Sequence, residues 1–263
     1  MLYYSNNNFE LHLGDCLDVL KRFKSNSIDM IFADPPYYLS DGTITCQNGK
    51  MVSVKKGDWD LASDFKEKAM FHRRWIRTCR RVLKPNGTIW ISGTYHSIYQ
   101  CGYELQKQGY KIINDIAWYK TNAPPHLARK CFTASHETLL WAVKNPDKKF
   151  YFNYNLMKMG NWDKDFLKKP GKQMRSVWSI PSTPPREKKE GKHPTQKPLT
   201  LLNRIIMASS NEGDTVLDPF SGSGTTGIAA NLHNRNYIGI DINKNYLDLS
   251  IKRYKRGIEN ELF

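Results

Sequence analysis

The sequence predicts an α/β protein with a mainly parallel sheet. Apolar runs of strand length alternate with helical patterns over most of the chain, two predicted strands lead into Asp34 and Asp241, and a glycine-rich loop separates a strand from a helix. Ligands of such proteins bind at the carboxyl ends of the strands, so function is expected there. The 263 residues are enough for one large domain or two small ones with a substantial core.

The first half of the chain shows alternating elements with recognisable ends. The predicted order is helix 16–24, strand 27–34, helix 67–83, strand 88–92, helix 98–108, and strands 111–119 and 137–143. Lys84-Pro85-Asn86-Gly87 forms a stop and turn signal, and Gly109 is expected to cap a helix. Residues 43–54 are polar and contain glycine, so we expect a mobile loop there.

The regular pattern weakens between residues 145 and 198, where several prolines and glycines interrupt any long element. Regularity then returns with helix 199–209, strand 215–217, helix 225–232, strand 236–240 and helix 246–256. We therefore expect a single domain over 1–263 that carries an insert at about 122–192.

The positive charge is concentrated in this part of the chain. The sequence has 40 Lys and Arg against 25 Asp and Glu, a net charge of +15. Residues 121–200 contain 16 of these basic residues and 6 of the acidic ones, interleaved with aromatic side chains: Trp141, Tyr151, Phe152, Tyr154, Trp162, Phe166 and Trp178. This pattern suits phosphate contact and base stacking, although a solvated lysine-rich surface is the alternative. Charge alone does not separate DNA from RNA.

Composition excludes several other classes of protein. Apolar residues make up 40% of the chain and aromatic residues 12%, which argues against global disorder. Neither a membrane-spanning apolar run nor a secretory signal is recognisable, so a soluble cytoplasmic protein is expected. The five cysteines form no C-x-x-C pair, so neither a disulfide framework nor a structural metal site is expected.

The glycine-rich loop predicts a nucleoside cofactor. Gly222, Gly224 and Gly227 match the pattern G-x-G-x-x-G between a strand and a helix, and the next strand ends at Asp241, where an acid can bind ribose hydroxyls. NAD and S-adenosylmethionine are the rival ligands, and a turn that only packs helix on sheet is the structural alternative. Asp218 and Phe220 at the loop entrance favour a sulfonium cofactor with an ammonium group.

The tetrad Asp34-Pro35-Pro36-Tyr37 follows a predicted strand directly. The prolines stiffen the backbone, so the Asp34 carboxylate and the Pro35 carbonyl can hold both hydrogens of an exocyclic base amine. This would localise the nitrogen lone pair for direct attack on a methyl sulfonium, with Tyr37 stacked on the base. A stiffened turn is the alternative. No Pro-Cys dipeptide supports a cysteine nucleophile.

The chain resembles the beta group of DNA N6-adenine methyltransferases, in which the tetrad precedes the cofactor loop in a circularly permuted motif order. Further matching segments are Gly14-Asp15-Cys16, Gly57-Asp58-Trp59-Asp60, Leu83-Lys84-Pro85-Asn86-Gly87, Ile91-Ser92-Gly93, His136-Glu137-Thr138-Leu139-Leu140-Trp141 and His193-Pro194-Thr195-Gln196-Lys197-Pro198. Two longer segments, 32–40 and 52–59, are most similar to Dpn-type enzymes of restriction-modification systems, which methylate adenine within GATC.

This resemblance implies the Rossmann-like fold of S-adenosylmethionine-dependent methyltransferases, with helices on both faces of the sheet. It implies S-adenosylmethionine as cofactor and Asp34, Pro35, Pro36 and Tyr37 as the catalytic residues. The implied cofactor-binding residues are Asp15, Cys16, Asp34, Thr195, Lys197, Asp218, Phe220, Gly222, Gly224, Thr225, Thr226 and Asp241. Asp15 also precedes a helical run and suits a helix N-cap.

The function implied is methyl transfer to adenine N6 in DNA, by base flipping and direct in-line attack. Duplex or single-stranded DNA, a homodimer and a cognate endonuclease are the partners that the resemblance allows. Cytosine N4 or RNA methylation is the second hypothesis, although cytosine N4 enzymes usually have Ser in place of the tetrad's Asp. A non-catalytic DNA-binding protein is the third, and an NAD-dependent dehydrogenase is the weakest.

Overall fold

The computed structural model describes residues 1–37, 44–47, 50–53, 64–126, 129–162, 165–166 and 168–258, with the backbone alone for 44–47 and 50–53. The strands are β1 (Leu2–Asn6), β2 (Phe9–Leu13), β3 (Ile28–Ala33), β4 (Ile44–Gln47), β5 (Lys50–Ser53), β6 (Leu83–Gly93), β7 (Lys111–Tyr119), β8 (His136–Val143), β9 (Val177–Ser179), β10 (Thr215–Asp218) and β11 (Asn236–Asp241). The helices are α1 (Cys16–Leu20), α2 (Phe65–Val82), α3 (Ile98–Lys107), α4 (Tyr154–Met159), α5 (Leu199–Ser209), α6 (Thr225–Leu232) and α7 (Lys244–Ile258), with a 3₁₀-helix at Pro185–Lys188.

One nine-stranded sheet organises the molecule, in the order β1-β2-β11-β10-β3-β6-β8-β7-β9. The five strands from β2 to β6 in this order are parallel, and β9 pairs in parallel with β7. β8 lies antiparallel between β6 and β7, and β1 is antiparallel to β2 at the other edge. The predicted mainly parallel sheet is confirmed.

Helices cover both faces of the sheet because its central strands are apolar on both sides. In β3, Met30 and Phe32 join the core beneath α5, α6 and α7. Ile31 and Ala33 point the other way, into the core that α1, α2 and α3 cover. A continuous apolar run therefore makes a fully buried strand here, and the predicted layers on both faces are confirmed.

Two local features differ from the sequence prediction. The turn expected at Lys84-Pro85-Asn86-Gly87 is a bulge within β6, because Ile28 pairs with Leu83 and Met30 already pairs with Thr88. Lys84 there donates a 2.6 Å hydrogen bond to Asp29. The mobile loop expected at 43–54 contains the antiparallel pair β4–β5.

Parts of the sequence prediction fall outside the described residues. These are segment 57–60 and parts of segments 32–40 and 52–59 that carry the family resemblance. The strands β1 and β2 went unpredicted, since only Phe9 and Leu11 of β2 are fully buried and β1 is mostly exposed. Among the described residues, no helix has the length and apolar composition needed to cross a membrane.

Gly227 marks the closest approach of α6 to the sheet. A β-carbon at this position would lie 2.4 Å from ring atoms of Tyr237 and 2.5 Å from the ring of Phe9. Both rings are buried, so neither can swing aside. The third glycine of the fingerprint is thus required for helix–sheet packing.

We predict that Gly227→Ala lowers the free energy of unfolding by about 1–3 kcal/mol, because the added methyl overpacks two buried rings. Gly102→Ala is the matched control, since Gly102 also lies in a helix and its β-carbon would be 3.3 Å from a Leu140 methyl. The control should stay within about 1 kcal/mol of wild type. Denaturant unfolding measures both, and equal stabilities of the two variants would contradict the packing argument.

Candidate active site

The predicted site residues converge on one edge of the sheet. The tetrad follows β3, the glycine-rich loop follows β10, and Asp241 ends β11. β6 ends at this edge with Ser92 and Gly93, and the antiparallel β8 begins there with Glu137 close by. Because parallel strands present their carboxyl ends at a common edge, motifs far apart in sequence meet.

Two adjoining cavities open at this edge. The larger, here called the edge cavity, is lined by the predicted residues Asp15, Cys16, Asp34, Pro35, Pro36, Tyr37, Thr195, Phe220, Gly222 and Asp241, and also by Phe71, His193, Ile242 and Tyr246. The inner cavity shares Asp34, Thr195, Phe220 and Gly222 with it and adds Lys197, Asp218, Thr225 and Thr226. The structure therefore groups nearly all of the predicted site residues.

Asp241 is fixed at the wall of the edge cavity by backbone amides. Gly222 N–H donates to one carboxylate oxygen at 2.8 Å, and Asn243 N–H donates to the other at 2.8 Å. Burial raises the pKa of Asp241 to about 6. A carboxylate held in this way still has lone pairs to accept the hydroxyls of a ribose.

The Asp15–Cys16 corner adjoins Asp241, because the neighbouring Gly14 N–H donates a 2.9 Å hydrogen bond to the Asp241 carbonyl. Asp15 is the N-cap of α1, where its side chain accepts a 2.7 Å hydrogen bond from Leu17 N–H. The capping interpretation is thus confirmed, and the side chain also reaches the cavity lining. Burial raises the pKa of the Cys16 thiol, so this group stays neutral, and the cofactor contact implied for Cys16 stays a prediction.

Asp218 stabilises the glycine-rich loop from within. One oxygen accepts Phe220 N–H at 3.0 Å, and the other accepts the Thr226 hydroxyl at 2.6 Å. Burial raises its pKa to about 7. The side chain is 2% exposed, so a contact with a cofactor ammonium, for which the sequence argued, stays a prediction.

Two further predicted residues shape the loop. Gly224 has φ 72°, and a β-carbon there would lie 2.8 Å from that of Ser250. Glycine is needed at this turn for both reasons. The Thr225 hydroxyl accepts a 2.9 Å hydrogen bond from the buried guanidinium of Arg253. Gly224 holds the loop against α7, whereas Thr225 and Thr226 line the inner cavity.

The tetrad is fixed by contacts of Asp34. Its Oδ1 accepts the Tyr37 hydroxyl at 2.5 Å, and its Oδ2 accepts the Lys197 ammonium at 2.5 Å. Lys197 also lies 5.2 Å from the centre of the Tyr37 ring. The Tyr37 side chain is 3% exposed, so its hydroxyl orients Asp34, and the stacking of its ring on a base stays a prediction.

Sequence reasoning missed three residues that complete this cluster: Ser92, Lys120 and Glu137. The Tyr37 hydroxyl, which donates to Asp34, also lies 3.1 Å from Glu137 Oε2 and 3.2 Å from Ser92 Oγ. Lys120 donates to Glu137 Oε1 at 2.5 Å. An acid inside the apolar strand pattern of His136–Val143 was the available signal for Glu137.

Burial and neighbouring charges act differently on the two carboxylates of this cluster. Burial raises the pKa of Asp34, although Lys197 opposes the shift. Glu137 is buried as well, but the ammonium groups of Lys197 and Lys120 outweigh burial and lower its pKa to about 2. Glu137 is therefore charged at neutral pH, whereas the pKa of Asp34 lies above its ordinary value.

The chemistry of the edge cavity fits S-adenosylmethionine. The carboxylates of Asp15, Asp34 and Asp241 line it, and none of its lining residues in the described part of the chain is Lys or Arg. Such a lining suits a cationic sulfonium with a ribose and offers no lysine or arginine to the pyrophosphate of NAD. Gly222 has φ 51°, and a β-carbon there would lie 3.1 Å from the His193 ring, so the loop needs glycine here too.

Comparison with known proteins agrees with this chemistry. The family model described as DNA methylase matches residues 28–252. The type II methyltransferase M2.DpnII of Streptococcus pneumoniae is 52% identical over 260 residues, which cover 98% of this chain and 93% of the relative. The type II methyltransferase M2.MboI of Moraxella bovis is 48% identical over 247 residues, which cover 94% of this chain and 88% of the relative.

Solved structures agree in fold. The crystal structure of the M1.HpyAVI–SAM complex superposes with a TM-score of 0.68 at 28% identity, over 93% of this chain and 98% of that one. The cytosine-N4-specific PvuII DNA methyltransferase gives a TM-score of 0.73 at 18% identity, over 98% of this chain and 95% of that one. At that identity the second likeness shows the fold alone.

We predict that affinity for S-adenosylmethionine falls as the pH is lowered through about 6, because protonation of Asp241 removes a negative charge and a hydrogen-bond acceptor. The loss should approach about tenfold per pH unit below this value. Asp241→Asn should bind more weakly at pH 8 and lose most of this pH dependence. Isothermal titration calorimetry measures both. The surface variant Asp18→Asn is the control, and an unchanged pH profile in Asp241→Asn would contradict the assignment.

The edge cavity, the fold of the whole sheet and the family match over most of the chain point to the same conclusion. The chain belongs to the DNA methylase family and is a site-specific, S-adenosylmethionine-dependent DNA methyltransferase.

Proposed function

We propose that the chain methylates the N6 amine of adenine in DNA. The observation that carries this proposal is the position of Asp34, whose carboxylate lies at the junction of the edge cavity and the inner cavity. A base amine bound by Asp34 would therefore face the edge cavity, the space that suits the sulfonium methyl group. In a duplex the base reaches this position only by rotating out of the helix.

The tetrad supplies what a poor nucleophile needs. The lone pair of an exocyclic amine is delocalised into the ring, and two acceptors on its hydrogens localise the pair on nitrogen. Asp34 and the carbonyl of Pro35 are those acceptors in this proposal, and both residues line the edge cavity. S-adenosylmethionine supplies the electrophilic methyl group. Asp34, whose pKa is raised by burial, is suited to accept the proton that the methylated amine then loses.

The connection between β7 and β8 supports DNA binding at the same edge. Arg129 and Lys130 are exposed in this connection, and Phe132 is 98% exposed. We propose that the basic insert at about 122–192 is the target-recognition segment, with most of its cations on phosphates and few side chains on base edges.

The relatives suggest the biological context. M2.DpnII and M2.MboI are described as type II methyltransferases, so we propose that this chain protects DNA against a cognate endonuclease. GATC is the proposed target because the segments 32–40 and 52–59 resemble Dpn-type enzymes. A homodimer and a cytoplasmic location belong to the same proposal.

Cytosine N4 methylation is the second candidate, because its acceptor is also an exocyclic amine of a base. The two amines pose the same chemical problem, but Asp34 rather than Ser begins the tetrad here. DNA from a methylation-free host that expresses the protein decides between them. Nucleoside mass spectrometry should find N6-methyladenine, and single-molecule sequencing should place it in GATC. N4-methylcytosine would overturn the proposal.

We predict that Asp34→Asn lowers the single-turnover rate of methyl transfer at least about a hundredfold, because it removes the charged acceptor for the amine. S-adenosylmethionine binding should largely survive, since Asp241 and the glycine-rich loop remain. Transfer of label from tritiated cofactor to DNA measures the rate. A folded variant with wild-type activity would exclude Asp34 from the chemistry.

We predict that the double variant Arg129→Gln, Lys130→Gln weakens DNA binding at low salt for all sequences alike. Each lost phosphate contact should reduce the slope of log affinity against log salt by about 0.9. The exposed pair Lys252 and Lys255 on α7 gives the matched control, Lys252→Gln with Lys255→Gln. Fluorescence anisotropy at several salt concentrations measures the slopes, and equal slopes for both double variants would contradict a DNA contact at Arg129 and Lys130.

A further inference from the structure

Both oxygens of Asp34 already have partners in the structure. Oδ1 accepts the Tyr37 hydroxyl and Oδ2 accepts the Lys197 ammonium, each at 2.5 Å. A carboxylate paired with a buried ammonium is a weaker acceptor for a neutral amine, because its charge is already compensated. For Asp34 to bind a base amine strongly, these two partners need another acceptor.

Glu137 is placed to be that acceptor. Its Oε2 lies 3.1 Å from the Tyr37 hydroxyl and 3.7 Å from the Lys197 ammonium, so it faces the same two groups as Asp34. A shift of the Lys197 ammonium by about 1 Å toward Glu137 would bring it within hydrogen-bond distance of Oε2. Its ion pair with Asp34 would be exchanged for one with Glu137. No rearrangement of the backbone is needed for this exchange.

The surroundings of Glu137 keep it in place and charged. It lies on β8, a central strand, and is 7% exposed. Lys120 binds its other oxygen at 2.5 Å, and Ser92 donates to Oε2 at 3.4 Å. These contacts hold the Glu137 carboxylate in place, both when Lys197 binds Asp34 and when it binds Glu137.

We propose that Glu137 is a positioning residue that takes over the Lys197 ammonium and the Tyr37 hydroxyl when Asp34 binds the amine of the target base. The exchange leaves the buried ammonium compensated throughout, which matters because an unpaired buried charge is costly. Glu137 itself does not touch the base. The inference rests on the proposed function, since it assigns Asp34 to the amine.

The charges around Asp34 set its pKa, so the role of Glu137 can be tested by the pH dependence of the reaction. The titratable groups that face Asp34 are Lys197 from the segment before α5, Glu137 from β8, Asp218 from β10 and Tyr37 from its own loop. Glu137 raises the pKa of Asp34 by its negative charge. Without that charge, Lys197 would bind Asp34 alone, and the pKa of Asp34 would fall.

The test is the pH dependence of single-turnover methyl transfer by the full chain with Glu137→Gln, which keeps the side-chain shape and removes the charge. We expect a plateau rate roughly tenfold to hundredfold lower, the effect typical of losing a hydrogen bond to a charged group. The acid limb of the profile should move to lower pH, while affinities for S-adenosylmethionine and DNA stay largely unchanged. Glu137→Asp, which keeps the charge, should recover part of the rate.

Glu104→Gln is the matched control, because Glu104 is also a buried glutamate but lies near the end of α3 away from the edge cavity. It should keep the wild-type rate and acid limb. A wild-type protein that does not methylate adenine would refute the proposed function itself. If the wild type is active, two results for Glu137→Gln would overturn the role of Glu137. One is a plateau rate equal to that of the wild type, and the other is a lower rate whose fall at acid pH has not moved.

A second measurement needs no variant. In a crystal structure of the wild-type protein with target DNA and an unreactive cofactor analogue, the Lys197 ammonium should lie within hydrogen-bond distance of Glu137. Asp34 should then accept the base amine. A Lys197 ammonium still bound to Asp34, with the amine also on that carboxylate, would overturn the exchange.

Discussion

The buried ammonium of Lys197 is the contact on which the active site depends. It lies 2.5 Å from the Asp34 carboxylate and 3.7 Å from that of Glu137, so it joins the loop after β3 to β8. Lys197 is 6% exposed, and both carboxylates raise its pKa despite burial. Each acid would be costly to bury alone. Together with Lys120 they form a compensated cluster, which allows a carboxylate to lie deep at the carboxyl edge of an apolar sheet.

The parts of the site that sequence could predict are local. The tetrad, the glycine-rich loop and Asp241 each occupy a few consecutive residues at a strand end, so their residue types reveal their place. Ser92 and Glu137 were not assigned to the site because only the pairing of β6 with β8 brings them together, and the single signal for Glu137 was an acid within the apolar pattern of β8. Strand β1 was missed for a related reason. An exposed edge strand has no apolar pattern to distinguish it, and its partner β2 is defined by pairing with β11.

The fold was predictable where a strand is buried on both faces of the sheet. Met30, Ile31, Phe32 and Ala33 pack alternately against the two helical layers, and such a run cannot be explained by a sheet with one solvated face. The bulge at 84–87 shows where local residue patterns stop predicting the fold. Its proline and glycine are typical of a turn, yet Leu83 and Thr88 pair with the same strand on either side of it. Local chemistry indicates where the chain bends, and long-range pairing decides whether the strand ends.

In the proposed function, charge has two separate roles, and Lys120 lies between the residues that carry them. It follows β7 directly, at the start of the connection that carries Arg129 and Lys130, and its ammonium binds Glu137. The exposed cations beyond it lie in high dielectric, where their attraction for DNA is screened by salt. Lys120 and Lys197 are largely buried against carboxylates, so salt acts on them weakly. The connection between β7 and β8 therefore carries both Lys120, which orients Glu137, and the proposed DNA contacts Arg129 and Lys130. In the proposed function, the exposed charge attracts DNA, whereas the compensated buried charge arranges the reacting groups.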